Sequence, residues 1–142
     1  MDILFIIILG ALWGSFANVC IYRLPINKSI VSGRSFCPKC NNKVVWYDNI
    51  PIFSYFFLKA KCRNCDFKIH IKYLIVETTS LIFFILIYFL FGITFTTLLL
   101  WILFLSFLII FFIDLEHFII PNEITFPLML IGFLKSFDPN LD

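Results

Sequence analysis

Four stretches of the chain are almost free of polar side chains, and the breaks between them predict its architecture. Residues 3–22 run for twenty positions without a charge, long enough to cross about 30 Å of hydrocarbon as a helix. Residues 74–91 form a second apolar run, interrupted only by Glu77 near its start. Gly92 to Thr97 supplies glycine and threonine for a short turn. Residues 98–113 are the third run, which reaches span length if it begins near Ile93. A fourth run, 124–134, follows a polar return containing Pro121 and stops after eleven residues, too few to span. The pattern predicts an all-α membrane protein with three full transmembrane helices, a partial fourth, and a long polar loop between the first two.

Composition strengthens this reading. Hydrophobic residues make up 61% of the 142 positions and charged residues only 14%, against about 45–50% and 25% in soluble domains. A soluble fold of this size has too little interior to hide that surface. A soluble enzyme, a disordered tail and a secreted disulfide scaffold are therefore excluded. A cleaved signal peptide is the competing reading of the first run, but Asp2 stands where a basic region belongs and the positive charges follow the run.

The net charge of +2 conceals a strong asymmetry: ten of the eleven Lys and Arg lie between Arg23 and Lys72, against two acids, Asp48 and Asp66. No nucleic-acid motif accompanies them. Beside membrane spans, a basic loop of this kind is placed in the cytoplasm by the positive-inside rule. The expected divisions are a first helix at 1–22, a cytoplasmic loop at 23–73, helices two, three and the start of a fourth at 74–134, and a polar tail at 135–142.

Within the loop, Cys37-Pro38-Lys39-Cys40 and Cys62-Arg63-Asn64-Cys65 are separated by 21 residues. Two C-x-x-C knuckles at this spacing point to a zinc-ribbon-like Zn²⁺ site in which Cys37, Cys40, Cys62 and Cys65 supply four thiolates. Lys39, Lys43, Lys61 and Arg63 would offset its net negative charge. Reduced free thiols and two disulfides are the alternatives, the latter disfavoured in a reducing compartment. A closed four-thiolate site has no open position for catalysis, so its role is to hold the loop together. Between the knuckles, Trp46 and Tyr47 suit a membrane interface, and Asp48-Asn49 before Ile50-Pro51 reads as a turn.

Several polar residues fall at membrane depth. Gly10 and Gly14 form a G-x-x-x-G, which permits close helix approach. Asn18 is expected to point into the bundle, and Cys20 to pack there. Asp114 ends the third run, where an acid at membrane depth is a functional candidate by default, with burial against Phe111, Phe112 and Ile113 expected to favour its protonated form; the alternative is a helix-end carboxylate in water. Glu77 reads as a helix-start charge at the positive end of the dipole. An aspartic protease needs two carboxylates that share a proton.

Taken together, these segments resemble the type IV prepilin peptidases. The resemblance rests on Gly14-Ser15-Phe16-Ala17-Asn18-Val19-Cys20-Ile21-Tyr22-Arg23-Leu24-Pro25, on both cysteine knuckles and on Trp46-Tyr47-Asp48-Asn49-Ile50-Pro51 with Ser54-Tyr55. It continues through Tyr73 to Glu77, Ile113-Asp114 and Ile120-Pro121-Asn122-Glu123-Ile124-Thr125. It covers about residues 10 to 130. It implies an intramembrane aspartic endopeptidase of the bacterial inner membrane. Such an enzyme cuts the leader of type IV prepilins or pseudopilins on the cytoplasmic side and methylates the new amino terminus with S-adenosylmethionine. Asp114 would be the first catalytic aspartate, and the cysteine loop would belong to the methyltransferase-associated region. For a basic leader, Asp48, Glu77 and Asp114 would have to supply attraction.

The chain departs from the family pattern mildly at Ala17 and at Asn122-Glu123. The family's second aspartate, in a Gly-x-Gly-Asp motif, has no counterpart in the 142 residues, since Asp138 and Asp142 lack the glycine frame. The expectation is an amino-terminal portion of the enzyme, without peptidase activity of its own. The rival is a non-catalytic membrane assembly factor that binds pilin precursors through the cysteine loop.

Overall fold

The computed structural model describes residues 2–31 and 33–137. The side chains of Trp46 and Lys135, and the tail 138–142 with Asp138 and Asp142, lie outside the described residues. The regular elements of the described backbone are all helical, with no extended strand among the described residues. In chain order the helices are α1 (Asp2–Arg23), α2 (Phe53–Phe57), α3 (Lys72–Phe91), α4 (Phe95–His117) and α5 (Asn122–Phe137), with 3₁₀ turns at Leu24–Ile26 and Trp46–Asn49. Three of them, α1, α3 and α4, are long and apolar enough to cross a membrane. In hydrocarbon a chain must satisfy its backbone internally, which is why these runs are helices. The third run begins at Phe95, where Thr94 caps α4 by accepting a hydrogen bond from the Thr97 N–H at 3.2 Å. Among the described residues α5 covers sixteen positions with Pro127 inside it, and is shorter than the other three long helices.

The packing is antiparallel between α1 and α3. Going down α1 from Asn18 to Gly14 to Gly10, the α3 neighbours climb from Tyr73 through Glu77 and Ser80 to Phe84. The two glycines make this approach possible. A Cβ at Gly14 would lie 2.8 Å from Glu77 Cα, and one at Gly10 would lie 3.0 Å from Phe84 Cβ. Ser80, fully buried, donates to the Gly10 carbonyl at 3.0 Å. Helix α4 packs against both.

Two apolar clusters hold the bundle. Toward the loop, Ala17, Cys20 and Ile21 meet Val76, Leu105 and Ile113. At the opposite end Ile6, Phe84 and Trp101 meet, with the Phe84 and Trp101 rings stacked at 4.8 Å and the Trp101 Nε1–H donating to the Phe84 carbonyl. Much of the remaining apolar surface of the spans is exposed, as expected of helices facing lipid.

Candidate functional site

The loop between α1 and α3 is built from two small hairpins, each closed by one isolated bridge, Phe36 with Lys43 and Lys61 with Lys68. Each hairpin carries one knuckle. In the first, the Cys37 N–H donates to Asn42 O and the Asn41 N–H returns to Cys37 O; the second repeats this with Cys62, Phe67 and Asp66. Asn41 and Asp66 adopt positive φ, which the short side chains of Asn and Asp tolerate.

The hairpins bring the four cysteines together. Their sulfur atoms all lie within 4.8 Å of one another, with Cys37 Sγ 3.7 Å from Cys65 Sγ and Cys40 Sγ 4.0 Å from Cys62 Sγ. A tetrahedral Zn²⁺ with bonds of about 2.3 Å requires sulfurs about 3.8 Å apart. The same distances exceed a disulfide bond of about 2.05 Å, and all four thiols are free. The donor set therefore fits a metal ion.

The thiols also differ in acidity. Burial alone would lift Cys37, but the N–H groups of Cys40 and Lys39 and the thiols of Cys62 and Cys40 outweigh it and bring it to about 6. For Cys65 the Phe67 N–H pulls downward, while desolvation and the neighbouring sulfurs of Cys40, Cys37 and Cys62 push it to about 12. One proton leaves this cluster readily and another is held, because charge accumulates among adjacent sulfurs. A divalent cation would balance that charge.

Other contacts fix the loop to the helices. Arg23, buried at the end of α1, donates to Ser29 O at 2.8 Å and Gly33 O at 2.9 Å, gathering the chain that leads to the first knuckle. Arg63, inside the second knuckle, forms a two-pronged pair with Asp48, Nε to Oδ2 at 2.7 Å and Nη2 to Oδ1 at 2.5 Å, and lies over the Tyr47 ring. Its hydrogen bonds and charge hold the Asp48 carboxyl below the usual carboxylate range. Lys72 and Glu116 join the loop-side ends of α3 and α4 at 2.7 Å.

Glu77 is the residue the sequence undervalued. Its carboxylate reaches out of α3 to accept the Ile52 N–H at 2.8 Å. Ile52 has φ 63°, a backbone conformation that costs a β-branched residue about 1–3 kcal/mol. The Asn18 amide donates to Tyr73 O at 3.0 Å and reaches the same carboxylate at 3.5 Å. A carboxylate that grips a strained N–H is a positioning element, more than the helix-start charge expected. The sequence signal was the isolated acid within an apolar run.

These elements enclose a cavity of about 480 Å³ between the loop and the ends of α1, α3 and α4, bordered by Asn18, Tyr22, Tyr55, Tyr73 and Glu77. Asp114 does not line it. The structure brings Cys37, Cys40, Cys62 and Cys65 into one cluster and leaves Asp114 apart, exposed near the end of α4. The expected burial of Asp114 against Phe111, Phe112 and Ile113 is not made: Ile113 turns into the core, Phe111 is exposed, and Asp114 falls on the outer side. Asp48 is paired with Arg63, and the Glu77 carboxylate accepts the Ile52 N–H.

The model of the bacterial peptidase A24 N-terminal domain matches residues 8–91. A prepilin leader peptidase/N-methyltransferase of Myxococcus xanthus is 40% identical over 97% of this chain and 41% of its own length. One of Vibrio cholerae is 41% identical over 89% of this chain and 53% of its own length. One of Neisseria gonorrhoeae is 31% identical over 92% of this chain and 54% of its own length. The chain thus spans about half the length of the relatives it matches. No solved structure matches it.

Proposed function

From the premise that this membrane chain belongs to the bacterial peptidase A24 N-terminal domain family, we propose that it serves prepilin leader cleavage and N-methylation on the cytoplasmic side of the bacterial inner membrane. The observation that carries the reading is the similarity to prepilin leader peptidase/N-methyltransferases along nearly the whole chain.

In this reading Asp114 is one of two aspartates that activate water and protonate the leaving group. Its exposed position at the end of a span leaves it open to a substrate and to a partner carboxylate. The 142 residues contain no Gly-x-Gly-Asp, so by themselves they are expected not to cleave. The cysteine cluster is structural: Cys37, Cys40, Cys62 and Cys65 would hold Zn²⁺, and the ion would lock the two hairpins over the cavity. S-adenosylmethionine supplies the methyl group when bound. The cavity has the volume for a molecule of that size, and Tyr22, Tyr55 and Asn49 in its wall would contact it. The substrate is a prepilin or pseudopilin whose basic leader lies in the cytoplasm. Attraction for it comes from Asp114 and Glu123, both exposed.

The test is Asp114→Ala in the longest natural chain, assayed for leader cleavage and for retention of the prepilin. Loss of cleavage with methyl transfer to a pre-cleaved pilin peptide intact supports the assignment. Unchanged cleavage sinks it, and pilin binding without any cleavage by the unaltered chain would favour the assembly-factor reading.

A further inference from the structure

The short helix α2 presents an aromatic face that nothing in the described chain covers. Phe53, Phe56 and Phe57 stand at i, i+3 and i+4, one side of a helix, and are 65%, 65% and 83% exposed. On its other side Ser54 and Tyr55 border the cavity beneath the loop. The helix therefore has an inner face that belongs to the site and an outer face made of three phenylalanines.

Its depth is set by the spans. The residue before α2, Ile52, is held by the Glu77 carboxylate, and Glu77 lies five positions into α3 from Lys72. Asn18, which reaches the same carboxylate, lies five positions inside α1 from Arg23. Five residues of helix rise about 7.5 Å. Two spans thus place the attachment point of α2 well inside their basic ends, whereas interfacial helices bury their apolar face about 5–10 Å into the headgroup and acyl boundary. Immediately after α2 come Lys59 and Lys61, both exposed, the charge that anionic headgroups attract.

We propose that α2 is immersed in the lipid interface, with Phe53, Phe56 and Phe57 inserted among the upper acyl chains and Lys59 and Lys61 against anionic headgroups. Glu77 is the tether that sets this depth. The cysteine loop then rests on the bilayer as well as on its two flanking helices, and one wall of the cavity is fixed by lipid. The occupant is the bilayer because the tether runs to a membrane span at that depth and the flanking charge is basic. The inference needs only the three spans, and it stands or falls apart from the peptidase reading.

The test places a fluorescent amino acid at Phe57 and, in a second protein, at exposed Lys39 in the first knuckle. Each chain is reconstituted in phosphatidylcholine–phosphatidylglycerol vesicles. Quenching is measured with lipids brominated high on the acyl chain and with aqueous iodide. Position 57 is expected to be quenched several-fold more by bromolipid than position 39, and to be shielded from iodide. Equal iodide quenching at both positions would overturn the proposal. So would shielding of position 57 from both quenchers, which would mean that protein, a second copy or another segment, covers the phenylalanines. A Glu77→Ala chain carrying the same probe at position 57 tests the tether: bromolipid quenching should fall severalfold, and an unchanged value would remove Glu77 from the account.

Discussion

Asp48 and Arg63 show how a single pair joins two segments fifteen residues apart. The carboxylate is nearly covered, while the guanidinium is half exposed, so solvent screens the pair and its contribution is small. Its pH dependence is nevertheless defined. The folded-state pKa of Asp48 is lowered by Arg63, so the stabilisation is complete above the unfolded value of about 3.9. It is lost as pH falls through the lower folded value. A carbon-13 titration of the Asp48 carboxylate should give a midpoint below that of an unpaired aspartate, and Arg63→Ala should move it back up. Glu77 gives a second residue-scale prediction. Replacing it by Ala strands the Ile52 N–H, at a cost of about 1–3 kcal/mol, and hydrogen exchange at Ile52 should accelerate. Glu77→Gln keeps an acceptor oxygen and should retain much of the protection.

Among the elements, the α1–α3 contact is the least tolerant of added volume. At Gly14 a new Cβ meets backbone atoms of α3, which have no rotamer by which to move aside. Gly14→Leu should therefore separate the helices and cost about 1–3 kcal/mol, read as a lower unfolding temperature in detergent micelles. Gly132, with nothing within 4 Å of a built Cβ, serves as the control and should accept Ala without that loss. The cysteine hairpins form the second sensitive element. Metal binding must displace thiol protons, so zinc affinity should fall as pH is lowered, measured by competition with a chromophoric chelator. Cys37→Ser should reduce bound zinc sharply and make the loop susceptible to protease.

At the scale of the molecule, a single crossing by α1 puts the start of that helix and the cysteine loop on opposite sides of the membrane. The ten basic residues from Arg23 to Lys72 favour the loop in the cytoplasm. A membrane-impermeant maleimide applied to intact spheroplasts should leave the loop cysteines unlabelled, and should label them once the membrane is opened and metal is removed. Labelling before opening would reverse the topology.

The spans, the basic loop and the two knuckles were legible in the sequence because each is a local signal. Twenty uncharged residues or a C-x-x-C need no knowledge of what lies elsewhere in the chain. The close approach at Gly10 and Gly14 was legible as a G-x-x-x-G, a local signal that permits such a contact, and the structure supplied the partner helix. What Glu77 holds, which acid Arg63 pairs with, and that α2 divides into a cavity face and an exposed aromatic face depend on residues 15 to 59 positions apart. Those pairings exist only after the loop folds back on the helices. The environment of Asp114 was decided in the same way. Its neighbours in sequence are apolar, but helical rotation turns Ile113 inward and leaves Asp114 outside. The sequence by itself determined a membrane chain with a loop whose four cysteines could hold a metal ion, because burial in lipid and thiolate spacing are set by composition and by local pattern. Only tertiary structure decided which polar groups are engaged and which remain open, because that follows from the angle and depth at which helices meet.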